Sequence, residues 1–571
     1  MAHTYLKTAS SRKVTPQSQP IPGKNQVENN AGGFAFQVED WKRMERFLIL
    51  GSEGNTYYCS EHKMTIDNVT CLGRCLKADG PRYVKMVEEI SVSGRAPKND
   101  PALLALALAF AQGDLETRQL AAAALPRVAR IGTHLFHFAD FVDGMRGWGP
   151  VLRNAVAEWY LEKDDLDLAY QLIKYQSRDG WSHRDLLRLA HPKAGESLRS
   201  TLFRYAVKGE LSADHGTANP AMTILAAVEE LKKLPVPPAA SRSDEKRAIE
   251  LITQHRLPRE CVPTEWLNSV NVWAVMLPGM PMTAMIRNLG KMSAVGLLTP
   301  LSAAASVVVG KLSNEADLRK ARVHPIQVLM ALSTYKQGHG MRGKLEWKPV
   351  QRVVKALDDA FYKAFASVEP TGKRYYIALD ISGSMGSGHV AGTPLTPREA
   401  AAAMAMVTMR TELQWHIAGF TAGNQPSRWS GMQNFSNIGC GISDLEMNPL
   451  MSLTDAVRYT GGLPMGGTDC ALPMIDAAAR KIEADVFYII TDNETWAGAI
   501  HPSQALNDYR QKMGIPAKMI VCGMTATEFS IADPSDPGSL DVVGFDANVP
   551  ALIADFVTDG KVKTAETAEV E

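Results

Sequence analysis

Two rhythms of apolar residues divide the chain. From about Val38 to Phe365 apolar positions recur at spacings of three and four, with short breaks at glycine or proline and almost no strict alternation. That period draws one apolar stripe along each of a series of helices. It predicts helices over 102–111, 117–131, 150–161, 165–175, 197–205, 219–234, 244–254 and 349–365. Consecutive antiparallel pairs of such helices stack into an α-solenoid of HEAT type, although no strict repeat period runs through the sequence. After Pro370 short apolar runs at 374–380, 414–420, 485–491, 518–522 and 541–545 alternate with helical stretches at 397–410, 471–483 and 502–513. Strand and helix in alternation predict an α/β domain, a doubly wound and mostly parallel sheet covered on both faces, with ligands outside the carboxyl ends of its strands. The expected fold class is multidomain, all-α followed by α/β.

Composition adds limits. A chain of 571 residues is too long for a single core, and 45% hydrophobic with 21% charged residues is ordinary globular composition. Lys plus Arg equals Asp plus Glu at 61 each, so no global basic field attracts nucleic acid, and any such site must be local. The seven cysteines, Cys59, Cys71, Cys75, Cys261, Cys440, Cys470 and Cys522, are odd in number and scattered, which suits a reducing compartment. Cys71 and Cys75 lie one helical turn apart without a second pair, a spacing better matched to small buried residues than to zinc. The first 26 residues lack the apolar segment of a secretory signal, and the stretch 292–310 is too polar for a membrane span. The expectation is a soluble cytoplasmic monomer with polar, disordered tails at 1–30 and 561–571.

The densest candidate chemistry lies in YYIALDISGSMG, residues 375–386. Along extended backbone residues two apart face the same side, so Asp380, Ser382 and Ser384 present one carboxylate and two hydroxyls to a single point. Hard oxygen donors suit Mg2+, or Mn2+ in its place. Gly466 and Gly467 allow a tight loop that offers the Thr468 hydroxyl just before a helix, and Asp492 ends a buried strand; all three segments fall on one sheet edge. A plainer role for Asp and Ser there is turn formation and helix capping. Asp469 reads as a helix N-cap, Glu494 as a solvated carboxylate or one behind the metal ligands, His389 as an exposed loop residue, and Cys470 as a thiol without an activating base.

At Asp380, Ser382, Ser384, Thr468 and Asp492 the sequence resembles a von Willebrand factor A domain with its metal-ion-dependent adhesion site, DxSxS, then Thr, then Asp. The resemblance implies a metal whose open position takes a carboxylate of a protein ligand, a recognition device and not a catalyst.

Upstream, 32–38 (GGFAFQV), 46–48, 51–58, 130–136 (RIGTHLF), 180–189 (GWSHRDLLRL), 255–260 (HRLPRE) and 281–289 (PMTAMIRNL) together resemble the Ro ribonucleoprotein autoantigen family, in a bacterial or phage-type member. The likeness runs from about Gly32 to Phe556. It implies a TROVE module over 31–368, a ring of HEAT-like repeats, closed by the A domain over 369–560. It also implies small structured noncoding Y RNA on an outer basic surface, single-stranded 3′ ends of misfolded RNA in the central hole, a role in RNA quality control, and an exoribonuclease tethered through the RNA.

Residue chemistry points the same way. Lys174, Arg178, Arg184, Arg188 and Lys193, with His183 and His191, stand against only Asp179 and Asp185. Arg184 and Arg188 share a helix face, able to contact successive phosphates, with Trp181 as a stacking surface. The plainer reading is a solvated face balanced by the acidic run Glu162, Asp164, Asp165 and Asp167. The family likeness favours RNA, because His183 falls in the segment used at the Y RNA surface. Arg287 and Lys291, one turn apart, are assigned to the single-strand site, joined by His324 and the basic loop with Lys336, His339, Arg342, Lys344 and Lys348. Two alternatives stand beside this reading. One is a metal-dependent protein-interaction adaptor with no RNA role. The other is an enzyme, weakened by the lack of a GxxxxGK[ST] loop and by a carboxylate-poor site unlike a two-metal nuclease centre.

Overall fold

The computed structural model describes residues 14–51, 61–195, 198–209, 211, 219–340, 344–365, 370–390, 395–422, 441–463, 466–546 and 548–559. They divide into a helical unit, within Leu72–Ala364, and a sheet-centred unit drawn from Met1–Cys71 and Phe365–Glu571.

In the helical unit the three-and-four pattern becomes helices that bury one stripe. Asp165–Lys174 turns Leu168, Ala169, Leu172 and Ile173 inward, and the Asp164 carboxylate caps it by accepting the Asp167 amide at 2.7 Å. Gly80–Ser93 packs on both Asp100–Gln112 and Leu115–Val128; Asp100–Gln112 packs on Gly132–Met145, and Leu115–Val128 on Pro150–Leu161. Contact with the next helix and the next but one is what stacked helical pairs produce. The run also returns on itself. His324, buried and capping Pro325–Gln337, accepts the Ile326 amide on Nδ1 at 3.2 Å and donates from Nε2 to the Arg95 carbonyl at 3.0 Å, while Gln327 donates to the Pro97 carbonyl at 2.9 Å. These bonds fix the neutral Nε2–H tautomer and make His324 a closure residue, not the ring-lining cation expected from the sequence. The stretch 292–310 falls across the end of Met282–Ala294 and the start of Ala303–Ser313.

In the sheet-centred unit β1 (Gln26–Glu28) and β2 (Phe34–Gln37) join β10 (Phe529–Ser530) in a small sheet ordered β1-β2-β10. The main sheet comprises β5 (Arg374–Asp380), β6 (Gln414–Phe420), β7 (Ile442–Asp444), β8 (Val486–Thr491), β9 (Lys518–Gly523) and β11 (Ser539–Val543), in the order β11-β9-β8-β5-β6-β7. Every pairing is parallel except that of β6 with β7. From β5 the chain turns one way to β6 and later the other way to β8, so the strand order reverses at β5. β8 is buried along its whole length, as parallel strands covered on both faces must be.

The polar composition of the N-terminus misled. The segment docks at single points: Thr15, Gln17 and Asn29 are buried while 18–20 and 22–25 are exposed, and the Gln17 amide donates to the Gly498 carbonyl at 2.9 Å. By contact, the described residues of 14–71 group with the sheet-centred unit. Residues 1–13 and 560–571, with Cys59 and Cys440, lie outside the described residues; Cys261, Cys470 and Cys522 are buried free thiols, and Cys71 and Cys75 are buried as well. Among the described residues no helix is long and apolar enough to cross a membrane.

Candidate metal centre and nucleic-acid interface

The first site is built at the carboxyl ends of β5 and β8. Asp380 closes β5; its Oδ1 accepts the Ser382 amide at 2.9 Å and its Oδ2 accepts the Thr491 hydroxyl at 2.6 Å. The Ser382 and Ser384 hydroxyls lie 3.1 Å apart. The loop bearing them is tied to the loop bearing Thr468 by the Gly383 amide, which donates to the Gly466 carbonyl at 3.0 Å. Both glycines of that second loop answer to space. A Cβ on Gly466 would lie 2.3 Å from the Thr421 hydroxyl, and one on Gly467 would lie 2.7 Å from the Trp496 ring. Asp380, Ser382, Ser384, Thr468 and Asp492 are all buried.

Two buried carboxylates here oppose one another. Burial raises the Asp380 pKa, against the Ser382 and Thr491 hydrogen bonds; burial, then the charges of Asp380 and Glu494, hold Asp492 well above the usual carboxylate range. The Thr468 hydroxyl is buried without a hydrogen-bond partner among the described residues. A buried, unsatisfied oxygen beside two repelling carboxylates and two serine hydroxyls is a donor set that fits a hard divalent cation.

Sequence reasoning missed what holds these loops. Gln17 donates from Nε2 to Asp469 Oδ1 at 2.7 Å and to the Ile500 carbonyl at 2.9 Å, and its Oε1 accepts the Thr495 hydroxyl. Asn29 donates to the Thr495 carbonyl at 2.7 Å. Asn30 and the Ala31 amide occupy the two Glu494 oxygens at 2.8 and 3.2 Å. Glu494 is therefore buried and engaged, not solvated, and burial pushes its pKa up to about 7. Asp469 is not the helix N-cap, a position Ala471 takes; it accepts the Ala471 amide at 3.0 Å in the turn that leads into Leu472–Arg480. His389 is exposed, and burial holds the Cys470 thiol well above its ordinary pKa. Arg398, also missed, is buried and donates to the Ile381 and Ser382 carbonyls at 2.7 and 2.9 Å. Its signal was legible: a cation in the first turn of Pro397–Thr411 opposes the helix dipole and so needs acceptors of its own.

The second site lies in the helical unit. A hairpin pairs β3 (Ser177–Arg178) with β4 (Trp181–Ser182) through Asp179 and Gly180, both left-handed at φ 51° and 82°. Ser182 and Asp185 then form a capping box that starts His183–Ala190. That helix turns His183, Leu186, Leu187 and Ala190 inward and leaves Arg184 and Arg188 exposed. Neither arginine has a hydrogen bond or ion pair among the described residues. Arg178 is exposed beside Asp179 at 3.5 Å, and Lys193 is exposed past the helix end. The half-buried Trp181 ring already leans on Trp148, 5.6 Å between centroids.

Two residues assigned to this surface do not reach it. His183 is a core residue, with Nδ1 2.8 Å from the Tyr160 hydroxyl and its ring 4.8 Å from that of Phe136. Burial lowers its pKa to about 4. Lys174 is half-buried over the Tyr170 and Tyr175 rings, 5.2 Å from each centroid. Of the pair assigned to single strands, Arg287 is exposed, whereas Lys291 is half-buried and donates to Asn268 Oδ1 at 2.8 Å. Lys344, Lys348 and His339 are exposed; Arg342 lies outside the described residues.

Similarity to known proteins covers both sites. Residues 27–334 match the TROVE domain family and residues 374–557 the Ro60 vWA domain family. The chain is 40% identical over 551 residues to the RNA-binding protein RO60 of Deinococcus radiodurans, a match spanning 95% of this chain and 98% of that one. It is 37% identical over 619 residues to the RNA-binding protein RO60 of Caenorhabditis elegans, spanning 96% and 92%. The crystal structure of the D. radiodurans RO (RSR) protein matches with a TM-score of 0.66 and 39% identity, over 91% of this chain and all of that one, 100%.

Proposed function

The chain belongs to the Ro60 family of TROVE-domain proteins, and from that premise we propose that it is a non-catalytic RNA-binding scaffold that acts in RNA quality control or turnover. The observation that carries this reading is the exposed, unpaired pair Arg184 and Arg188 on a short helix pinned from beneath by His183. With Arg178 and Lys193 they form a cationic edge for the phosphates of a small structured, Y-like RNA, read by shape more than by base. Arg287 and Lys291 serve single-stranded 3′ ends of misfolded RNA, and an exoribonuclease is brought in through the RNA. The adaptor reading without RNA is not favoured, because both curated relatives are named for RNA binding.

Mg2+, or Mn2+, is the cofactor of this reading. Asp380, Ser382, Ser384, Thr468 and Asp492 would hold it, and the partnerless Thr468 hydroxyl supports the assignment. When bound, the ion supplies a Lewis-acidic position for a carboxylate of a protein ligand. The chain's own part is to hold the five donors in place and keep water from the buried carboxylates. The protein works as a cytoplasmic monomer.

Charge reversal tests the RNA assignment. In filter binding, Arg184→Glu with Arg188→Glu should weaken a structured RNA far more than an unstructured strand; equal losses would refute two separate surfaces. Asp380→Ala should remove the Mg2+ response and leave RNA affinity near normal.

A further inference from the structure

A cavity of about 650 Å³ opens in the helical unit between Asp165–Lys174, the end of Arg242–His255 and the turn that precedes Met282–Ala294. Its size is within the roughly 300–1,000 Å³ of small-molecule sites. Two of the chain's most distinctive segments converge on it, HRLPRE through Arg256–Glu260 and PMTAMIRNL through Pro281 and Ala284. The RNA surface built on Arg184 and Arg188 uses neither. We propose that this cavity binds a nucleoside monophosphate, phosphate toward Lys174, Arg256 and Arg259 and base among the apolar residues behind them.

The wall chemistry carries the assignment. Lys174, Arg256 and Arg259 line the cavity, and none of them has a hydrogen bond or ion pair among the described residues. Lys174 is the informative one. Its amine is drawn into the wall over two tyrosine rings, and burial lowers its pKa, yet no carboxylate lies within ion-pair distance. A partly desolvated ammonium whose nearest acidic neighbour, Glu260, acts on it only from beyond ion-pair distance gains from an incoming anion, and two guanidinium forks supply the paired donors that phosphate oxygens accept. The lone acidic lining residue, Glu260, can accept from a ribose hydroxyl or an exocyclic amine. Leu257, Met276, Met280 and the Tyr170 ring form an apolar face, and methionine adapts to either ring size. The site should therefore require phosphate and tolerate any base.

The nucleotide has two sources, a free mononucleotide or the end of an RNA strand. Only the second rests on the reading of this chain as an RNA-binding protein. The full chain is titrated with AMP, GMP, CMP and UMP, with adenosine as the phosphate-free control, and then with a short unstructured oligoribonucleotide as competitor. Two variants accompany it. Arg256→Glu with Arg259→Glu alters exposed side chains, and Gly279→Phe fills the cavity from a lining position where an added Cβ meets nothing within 4 Å. All four nucleotides should saturate one site, adenosine should bind about tenfold more weakly or worse, and each variant should lose about tenfold or more, with Gly279→Phe melting as the parent does. Competition by the oligonucleotide assigns the site to strand ends, and its absence assigns it to free nucleotides. No saturable binding, or equal affinity in Gly279→Phe, overturns the proposal. Nucleotide binding that persists where structured RNA does not bind would refute the RNA reading alone.

Discussion

His183 shows how one residue's surroundings decide its role. Its Nδ1 meets the Tyr160 hydroxyl and its ring lies within a cage that includes Phe136 and Trp159. The neutral ring is the form this cage accepts, and burial holds its pKa at about 4 against an ordinary 6.5. A folded pKa below the unfolded one means that the unfolded chain binds the extra proton first. The stabilisation is thus present above about pH 6.5 and is lost as pH falls through about 4, on the order of 3 kcal/mol in all. Denaturant unfolding between those pH values should show this acid limb, and His183→Phe should flatten it. Any RNA defect in His183→Ala would then act through a loosened Arg184–Arg188 helix, so it should come with a lower melting temperature. Thr468 makes the opposite case. Its partnerless hydroxyl costs about 1–3 kcal/mol where it is buried. Thr468→Val should leave the metal-free protein as stable as the parent or more so, while abolishing the rise in melting temperature with added Mg2+.

Among elements, the N-terminal segment has the largest unforeseen role. Gln17, Asn29 and Asn30 reach Asp469, Thr495 and Glu494, the residues that flank Thr468 and Asp492. Close approach fixes its path, because a Cβ on Gly33 would lie 1.9 Å from the Thr495 carbonyl oxygen. Gln17→Leu leaves Asp469 and Thr495 short of a partner, so Mg2+ titration should show weaker affinity even under conditions where the variant remains folded. Unchanged affinity would make the segment a packing element only. A segment that docks through amide side chains has no apolar period, so nothing in its pattern distinguished it from a tail. β5 and β8 were legible because both their faces are buried almost throughout, and β6 because its second half is, which writes apolar runs of strand length into the sequence. The helix Ala303–Ser313, built of small residues, has little contrast between its faces and was not singled out. For His183 the signal existed and was outweighed. It shares the stripe of Leu186, Leu187 and Ala190, at spacings of three, four and seven, which points inward.

Across the whole molecule charge balances at 61 against 61, so no long-range field assists RNA and affinity must come from a few local phosphate contacts. Such contacts can be counted. Each phosphate neutralised releases counterions and contributes about 0.7–0.9 to the slope of log affinity against log salt. Arg178, Arg184, Arg188 and Lys193 acting together predict a slope near −3 for structured RNA. Reversing Arg184 and Arg188 should reduce its magnitude by about 1.5, along with the loss of affinity. The slope separates two causes that affinity alone confounds. If the arginines touch phosphate, slope and affinity fall together. If they matter only by keeping the helix above His183 in place, affinity falls while the slope of what remains is unchanged, and the cationic edge would have to be sought elsewhere on the helical unit.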